Sequence, residues 1–289
     1  MEISCIVCAY NEEKNIGVLL QQIVTQTIKI SQVLVVSSGS IDRTNEIVDS
    51  IAEEYGQIKL ITQPKRLGKV SAVNLGLGRA TGQIVILCSA DVQLEKDTFE
   101  RLVAGFSNEK IGMIGAHPIP TNNPKTFVGF CSKLVWTLHH EIALKSPKCG
   151  EVVAFRNLGY VIPDEVPVDE AYLEWKFVGE GYRLAYAPDA IVHNHGPETI
   201  GDYINQRKRN HALHFFLKKN MHYSVSTSGL MTTLSALVRT LELDPIKLVF
   251  TWGAIKLECI SIILGAYDFY IKKNNHKVWK MVETTKVVK

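Results

Sequence analysis

The chain has 289 residues, 46% of them hydrophobic and 21% charged. That suffices for one large α/β domain or two smaller units with a shared interface, and it excludes global disorder. The net charge of +3 hides an asymmetry: residues 1–200 hold 18 Lys/Arg and 23 Asp/Glu, whereas residues 201–289 hold 14 and 6. The basic end calls for an anionic partner such as phosphate or lipid headgroups. With no zinc-finger or RNA-recognition signature, the reading is against nucleic acid.

Residues 3–8 are a short apolar run behind an acidic residue. A signal peptide needs a basic start and a longer apolar core, so the expectation is a cytoplasmic chain. Cys5 and Cys8 form a C-x-x-C, but on a strand that spacing puts the side chains on opposite faces. Buried free thiols are the first reading and a metal or redox pair the alternative.

Residues 3–9 read as a β-branched strand, and Asn11 then caps a helix reaching about Gln26. A second strand at 33–36 precedes a helix at 42–55, with Ile47, Ile51 and Tyr55 on one face. A third strand at 58–61 leads to a helix at 68–80, and a fourth at 84–88 to a helix from about 96 to 106. A fifth strand comes at 113–116. This alternation predicts βαβ units and a mostly parallel sheet, in which ligands bind beyond the carboxyl ends of the strands. The next part is less regular: a helix at 126–144, a strand at 151–155, a helix at 169–179, strands at 184–187 and 190–193, and a long helix at 199–219. From about Ser224 the chain is apolar and helical.

Four strand ends carry polar or small residues that build one continuous site. They are Ala9-Tyr10-Asn11-Glu12, Ser37-Ser38-Gly39-Ser40-Ile41-Asp42, Lys65-Arg66-Leu67-Gly68-Lys69 and Ser89-Ala90-Asp91-Val92-Gln93. Gly39 and Gly68 permit close backbone approach. Lys69, near a helix start, suits a phosphate. Asp91 suits a divalent cation, Mg²⁺ or Mn²⁺, bridging two phosphates. A nucleotidyltransferase would carry a glycine-rich loop after the first strand, where this chain has Tyr10-Asn11-Glu12.

These segments, over roughly residues 3–215, resemble the family 2 inverting glycosyltransferases of the GT-A fold. That family has x-Y-N-E after its first strand, a D-G-S-x-D-x-T turn, a G-K-x-x-A-x-N-x-G helix, a D-x-D on the fourth strand, an E-D pair and a Q-x-x-R-W. Asp169-Glu170 stands for the acidic pair, and Gln206 to Asn210 for the last motif. Ser38, Ser89 and Asn210 depart from it, replacing an Asp that contacts the base, the first Asp of D-x-D, and a Trp on the acceptor path.

The resemblance implies a GT-A domain over residues 1–223, with a donor half (1–91) and an acceptor half (92–223), and a helical extension over 224–289. It implies inverting transfer from a nucleotide-sugar to a hydroxyl of a lipid-linked or glycan acceptor. Ala9, Tyr10, Asn11, Glu12, Ser38, Gly39, Gly68, Lys69, Ala90, Asp91, Gln206 and Arg209 then form the donor site. The metal sits at Asp91, with Gln93 and His195 as further candidates. Leu173 sets the register that makes Glu170 the base, with Asp169 as the fallback. Transfer to a polyprenyl phosphate is the rival reading, since an ionised acceptor needs no base; a nucleotide-binding protein that has lost catalysis is another.

The stretch Pro245–Ile271 is long and apolar, but Lys256 and Glu258 interrupt it, and Lys272, Lys273, Lys277 and Lys280 come after it. This predicts helices lying on the cytoplasmic face of a membrane rather than a simple span. Packing on the catalytic domain or a homo-oligomer interface is the alternative.

Overall fold

A computed structural model describes residues 1–274 and 276–278. These residues form one eight-stranded sheet in the order β3-β2-β1-β4-β7-β6-β8-β5. Its strands are β1 (Ile3–Ala9), β2 (Gln32–Ser38), β3 (Ile58–Gln63), β4 (Ile84–Ser89), β5 (Val92–Leu94), β6 (Ile111–Pro120), β7 (Val152–Arg156) and β8 (Arg183–Asn194). The helices are α1 (Ile16–Val24), α2 (Thr44–Glu54), α3 (Lys69–Leu77), α4 (Thr98–Val103), α5 (Phe127–Ala143), α6 (Glu170–Gly179), α7 (Ile200–Met221), α8 (Leu230–Thr240) and α9 (Pro245–Ala266).

The first strands read as nearly continuous apolar runs because both sheet faces are covered. Cys5 and Val7 of β1 join the cluster roofed by α1, α2 and α4. Ile6 and Cys8 turn to the cluster roofed by α3 and α6. The two cysteines therefore point to opposite faces, and both are free thiols.

Several boundaries differ from the sequence reading, each for a local reason. Asn11 does not cap a helix: it is left-handed at φ 52, and its Oδ1 accepts from the Ile41 N–H at 2.9 Å. That bond ties the first strand-end loop to the second, and α1 begins only at Ile16. The sheet is mixed. β7 runs antiparallel to both β4 and β6, and β5, a short strand not foreseen, runs antiparallel to β8. The expected strands at 184–187 and 190–193 are one strand, whose register with β6 shifts between Gly115 and His117.

The extension packs onto the first 223 residues. Asp244 caps α9, accepting from the N–H groups of Ile246 and Lys247, with Pro245 in the first turn. Glu258 is not a charge adrift in an apolar helix: its carboxylate takes Arg207 at 2.5 and 3.0 Å and His211 at 2.9 Å. Gly265 lets α9 close on α7, where a Cβ would lie 2.7 Å from the Lys208 carbonyl oxygen. Within a π-helical turn (Tyr267–Ile271), buried Asp268 takes Lys208 at 3.1 Å. The other side of the extension bares Leu230, Met231, Val238, Val249, Trp252 and Ile263. Pro245–Ile271 is long and apolar enough to cross a membrane by length and composition alone. Lys280 lies outside the described residues.

Candidate active site

The carboxyl ends of β1, β2 and β4 and the start of α3 bring the donor-site candidates to one edge. Ala9 and Ala90 are buried small residues at strand ends. The Arg66 guanidinium lies over the Tyr10 ring, 4.1 Å from its centroid. Ser38 donates to Gln63 Oε1 at 2.7 Å, so a neutral hydroxyl–carboxamide pair stands where the family pattern has an Asp. Gly39 has φ 72, and a Cβ there would meet the Arg66 nitrogen at 2.6 Å. Gly68 has φ 98, and a Cβ there would strike the carbonyl oxygen of Lys277. Glu12 is tied to the start of α2 and to its own loop: its N–H donates to Thr44 Oγ1 at 2.8 Å and its carboxylate accepts from Asn15 at 3.1 Å.

The acidic pair lies at the start of α6, opposite the start of α3. Lys69, expected to meet a phosphate, instead bridges the pair, with its Nζ 3.0 Å from Asp169 Oδ2 and 2.5 Å from Glu170 Oε1. Burial and then the charge of Glu170 push Asp169 up to about 7. Burial raises Glu170 too, but Lys69 and a hydrogen bond from Asp169 outweigh it and hold it at about 2. The two carboxyls share a site and titrate as a unit.

Asp91 comes directly after β4, and burial raises its pKa against the pull of Lys69 and Arg209. Its partner in this field is Glu151, which sequence reasoning took only as the start of a strand. Glu151 has φ 58, a left-handed backbone costly for a residue with a Cβ and concentrated at functional sites. Burial and then Asp91 push it up to about 7, and Asn194 donates to it at 3.3 Å. An acidic residue directly after Gly150, opening a strand beside β4, was the available signal. Arg209 completes the group. Burial lowers its pKa, while Glu151, Asp91 and Glu170 counteract that. Gln206 lies three residues earlier on α7, on the same side of the helix. Arg207 and His211 turn instead to Glu258 of α9, and Lys208 turns to Asp268.

Asp91 and Glu151 fit a divalent cation shared with a ligand's phosphates. Mg²⁺ commonly takes one or two carboxylates plus phosphate oxygens. Two carboxyls raised by burial, one of them also by the other's charge, are ones whose ionisation a dication would favour. Among the described residues, no group of three or more His, Cys, Asp or Glu could hold a metal ion without such help. His195 is held by its neighbours in the turn after β8. Its Nδ1 meets Thr121 Oγ1 at 2.9 Å and its Nε2 meets Glu198 at 3.0 Å, so both ring nitrogens are engaged. Gln93 sits on β5, paired with His193 across the strands.

Comparisons with known proteins bear on the fold and the family. The chain is 27% identical over 224 residues to poly-beta-1,6-N-acetyl-D-glucosamine synthase of Staphylococcus aureus, covering 72% of this chain and 53% of the relative. It thus spans about half the length of those curated relatives. It is 26% identical to an uncharacterized glycosyltransferase of Haemophilus influenzae, covering 83% and 80% of the two chains. Among solved structures, a mannosyltransferase from Pyrobaculum calidifontis in complex with GDP-Man and Mn²⁺ aligns with a TM-score of 0.67 at 23% identity, covering 94% of this chain and 88% of that one. Glucosyl-3-phosphoglycerate synthase from Mycobacterium tuberculosis, solved with Mn²⁺, UDP-glucose and glycerol 3-phosphate, aligns with a TM-score of 0.53 at 17% identity over 75% and 79%. The fold is that of the GT-A transferases, as the sequence motifs implied. Residues 4–163 match the family described as glycosyl transferase family 2, and the chain belongs to that family.

Proposed function

We propose that this chain is an inverting glycosyltransferase that moves a sugar from a nucleotide diphosphate donor to an acceptor hydroxyl. The observation that carries the reading is the buried Asp169–Glu170 pair bridged by Lys69, with Arg209 and the Asp91–Glu151 carboxylates in the same electrostatic field. A hydroxyl nucleophile needs a base, whereas an ionised phosphate does not. A carboxyl raised to about 7 is matched to that work near neutral pH. Sequence register gives the acceptor contact to Glu170, and Asp169 is the raised member, so the pair takes the acceptor proton as one unit. Lys69 holds both carboxyls in place. Arg209 offsets charge building on the leaving diphosphate. A cation at Asp91 and Glu151 would supply further stabilisation of that charge.

The exposed apolar residues of α8 and α9, including Trp252 and Ile263, and the basic Lys256, Lys272 and Lys273 support a peripheral site on the cytoplasmic face of a membrane. A lipid-linked or glycan acceptor would then approach from that side.

The test is a screen of UDP- and GDP-sugars for nucleotide release with Mn²⁺, Mg²⁺ or EDTA. Asp91→Asn should abolish turnover and weaken metal-assisted nucleotide binding in calorimetry. Glu170→Gln should bind donor and fail to transfer. Normal transfer by both Glu170→Gln and Asp169→Asn would remove the base from the mechanism.

A further inference from the structure

Among the described residues of the acceptor half, three polar atoms outside the acidic pair are buried with no hydrogen-bond partner: Ser132 Oγ, His139 Nδ1 and Asn194 Oδ1. Buried polar groups are nearly always partnered, by protein, water or ligand. Ser132 and His139 are two turns apart on α5 and so share a face. Ser132 lies against Gly196, where a Cβ would come 2.7 Å from its Oγ. Asn194, two residues before Gly196, donates to Glu151 at 3.3 Å. His139 meets the edge of Trp136 with ring centroids 5.1 Å apart. His139 also lies in the field of Lys148, which reaches Glu170 and His214 as well.

The lysine in this field is already balanced. Lys148 is held 3.0 Å from Glu174, one turn along α6 from Glu170, and Glu174 also accepts from Cys149 N at 2.7 Å and Tyr223 at 3.2 Å. Burial, then Lys148, pushes both His139 and His214 down to about 3, so both rings are neutral near pH 7. The face therefore offers hydroxyls, amides and an aromatic ring, and its one lysine is spent on Glu174. We propose that the inner face of α5, with Ser132, Trp136 and His139, together with Asn194, is the acceptor subsite, and that it takes a neutral saccharide. The sugar's apolar face rests on Trp136, and its hydroxyls bond the three unpartnered atoms. This is the usual make-up of a ligand site, an aromatic wall with a few placed polar groups. Trp136 then supplies the aromatic contact that Asn210 cannot. The inference rests on the glycosyltransferase reading above.

The experiment uses the full chain with the donor that releases nucleotide most readily. Methyl glycosides and their disaccharides are one set of acceptors, and dodecyl phosphate is the ionised alternative. Ser132→Ala, Trp136→Leu and His139→Phe are compared with Lys133→Ala on the outer side of α5. Thermal melts identify any misfolded variant, and Trp136→Phe and His139→Gln replace it. The expected result is transfer to a saccharide in the wild type. Acceptor KM in the inner-face variants should rise at least tenfold more than donor KM, and Lys133→Ala should behave as wild type. Equal saccharide KM in every variant overturns the subsite, as does transfer to dodecyl phosphate with none to any saccharide. Absence of nucleotide binding and release with all donors would instead defeat the donor reading, and the subsite with it.

Discussion

Replacing Lys69 by Met leaves Asp169 and Glu170 facing each other with no cation between them. Each Nζ–carboxylate contact, at 3.0 and 2.5 Å, is worth about 5–7 kcal/mol as a bare Coulomb term at an effective dielectric of about 20. Lysine desolvation offsets much of this, and measured losses on breaking one side of a buried pair are about 3–5 kcal/mol. The Lys69 side chain is 22% exposed, so the loss is expected near the lower end of that range. Protonation gives the variant a way out. A carboxyl with a raised folded pKa binds its proton more tightly when folded. Its contribution is therefore full below the unfolded pKa and is lost as pH rises through the folded value. In the wild type this applies to Asp169, raised to about 7. Glu170, held at about 2, behaves oppositely: its contribution is present above the unfolded value and lost as pH falls through 2. In Lys69→Met both carboxyls move upward, so the penalty should be about 1 kcal/mol at pH 5 and about 3 kcal/mol at pH 8. Scanning calorimetry reads this at roughly 2–4 °C per kcal/mol for a chain of this size. The acid limb of the transfer rate should move up with it by at least about one pH unit, or about 1.4 kcal/mol. A melting difference that is flat across pH 5–8, or largest at pH 5, would refute the reasoning.

The same geometry sets three further outcomes. Glu151→Gln should weaken metal-assisted binding of UDP or GDP at least tenfold in calorimetry while leaving metal-free binding unchanged; equal losses would make Glu151 a purely structural residue. Glu258→Gln weakens the Arg207 and His211 contacts and should destabilise by about 1.5–3 kcal/mol. Because burial is outweighed there by Arg207 and Glu258 is held far below its usual range, that difference should shrink as pH falls well below 4.5, which melts at pH 3–7 would show. Trp252→Glu with Ile263→Glu should abolish flotation with anionic liposomes at low salt, and flotation equal to wild type would put the contact elsewhere.

The sequence exposed the donor half well because its grammar is local. Apolar runs ending in Tyr10-Asn11, Ser38-Gly39 and Asp91 mark strand ends, and Gly68-Lys69 a helix start, whatever the distant chain does. It was less legible where distant segments decide. Nothing in residues 92–94 announces a strand, because β5 exists only through its pairing with β8. Lys69 looked like a phosphate ligand until α6, a hundred positions on, placed two carboxylates against it. Glu151 carries no motif, and its weight comes from a left-handed backbone beside Asp91. Glu258 looked like a defect in an apolar helix because its partners, Arg207 and His211, sit on another element.

The β5–β8 pairing has a consequence during synthesis. β5 begins immediately after Asp91, and Val92 pairs with Asn194, while Glu95 meets His193 across 98 positions. At roughly 5–20 residues per second, the ribosome needs several seconds or more to deliver β8 after β5 has emerged. Throughout that interval the nascent donor half has β1 to β4 but lacks the strand that anchors the stretch after Asp91. A stalled or truncated translation product ending before residue 190 would therefore expose an incomplete sheet margin, the kind of surface to which chaperones bind.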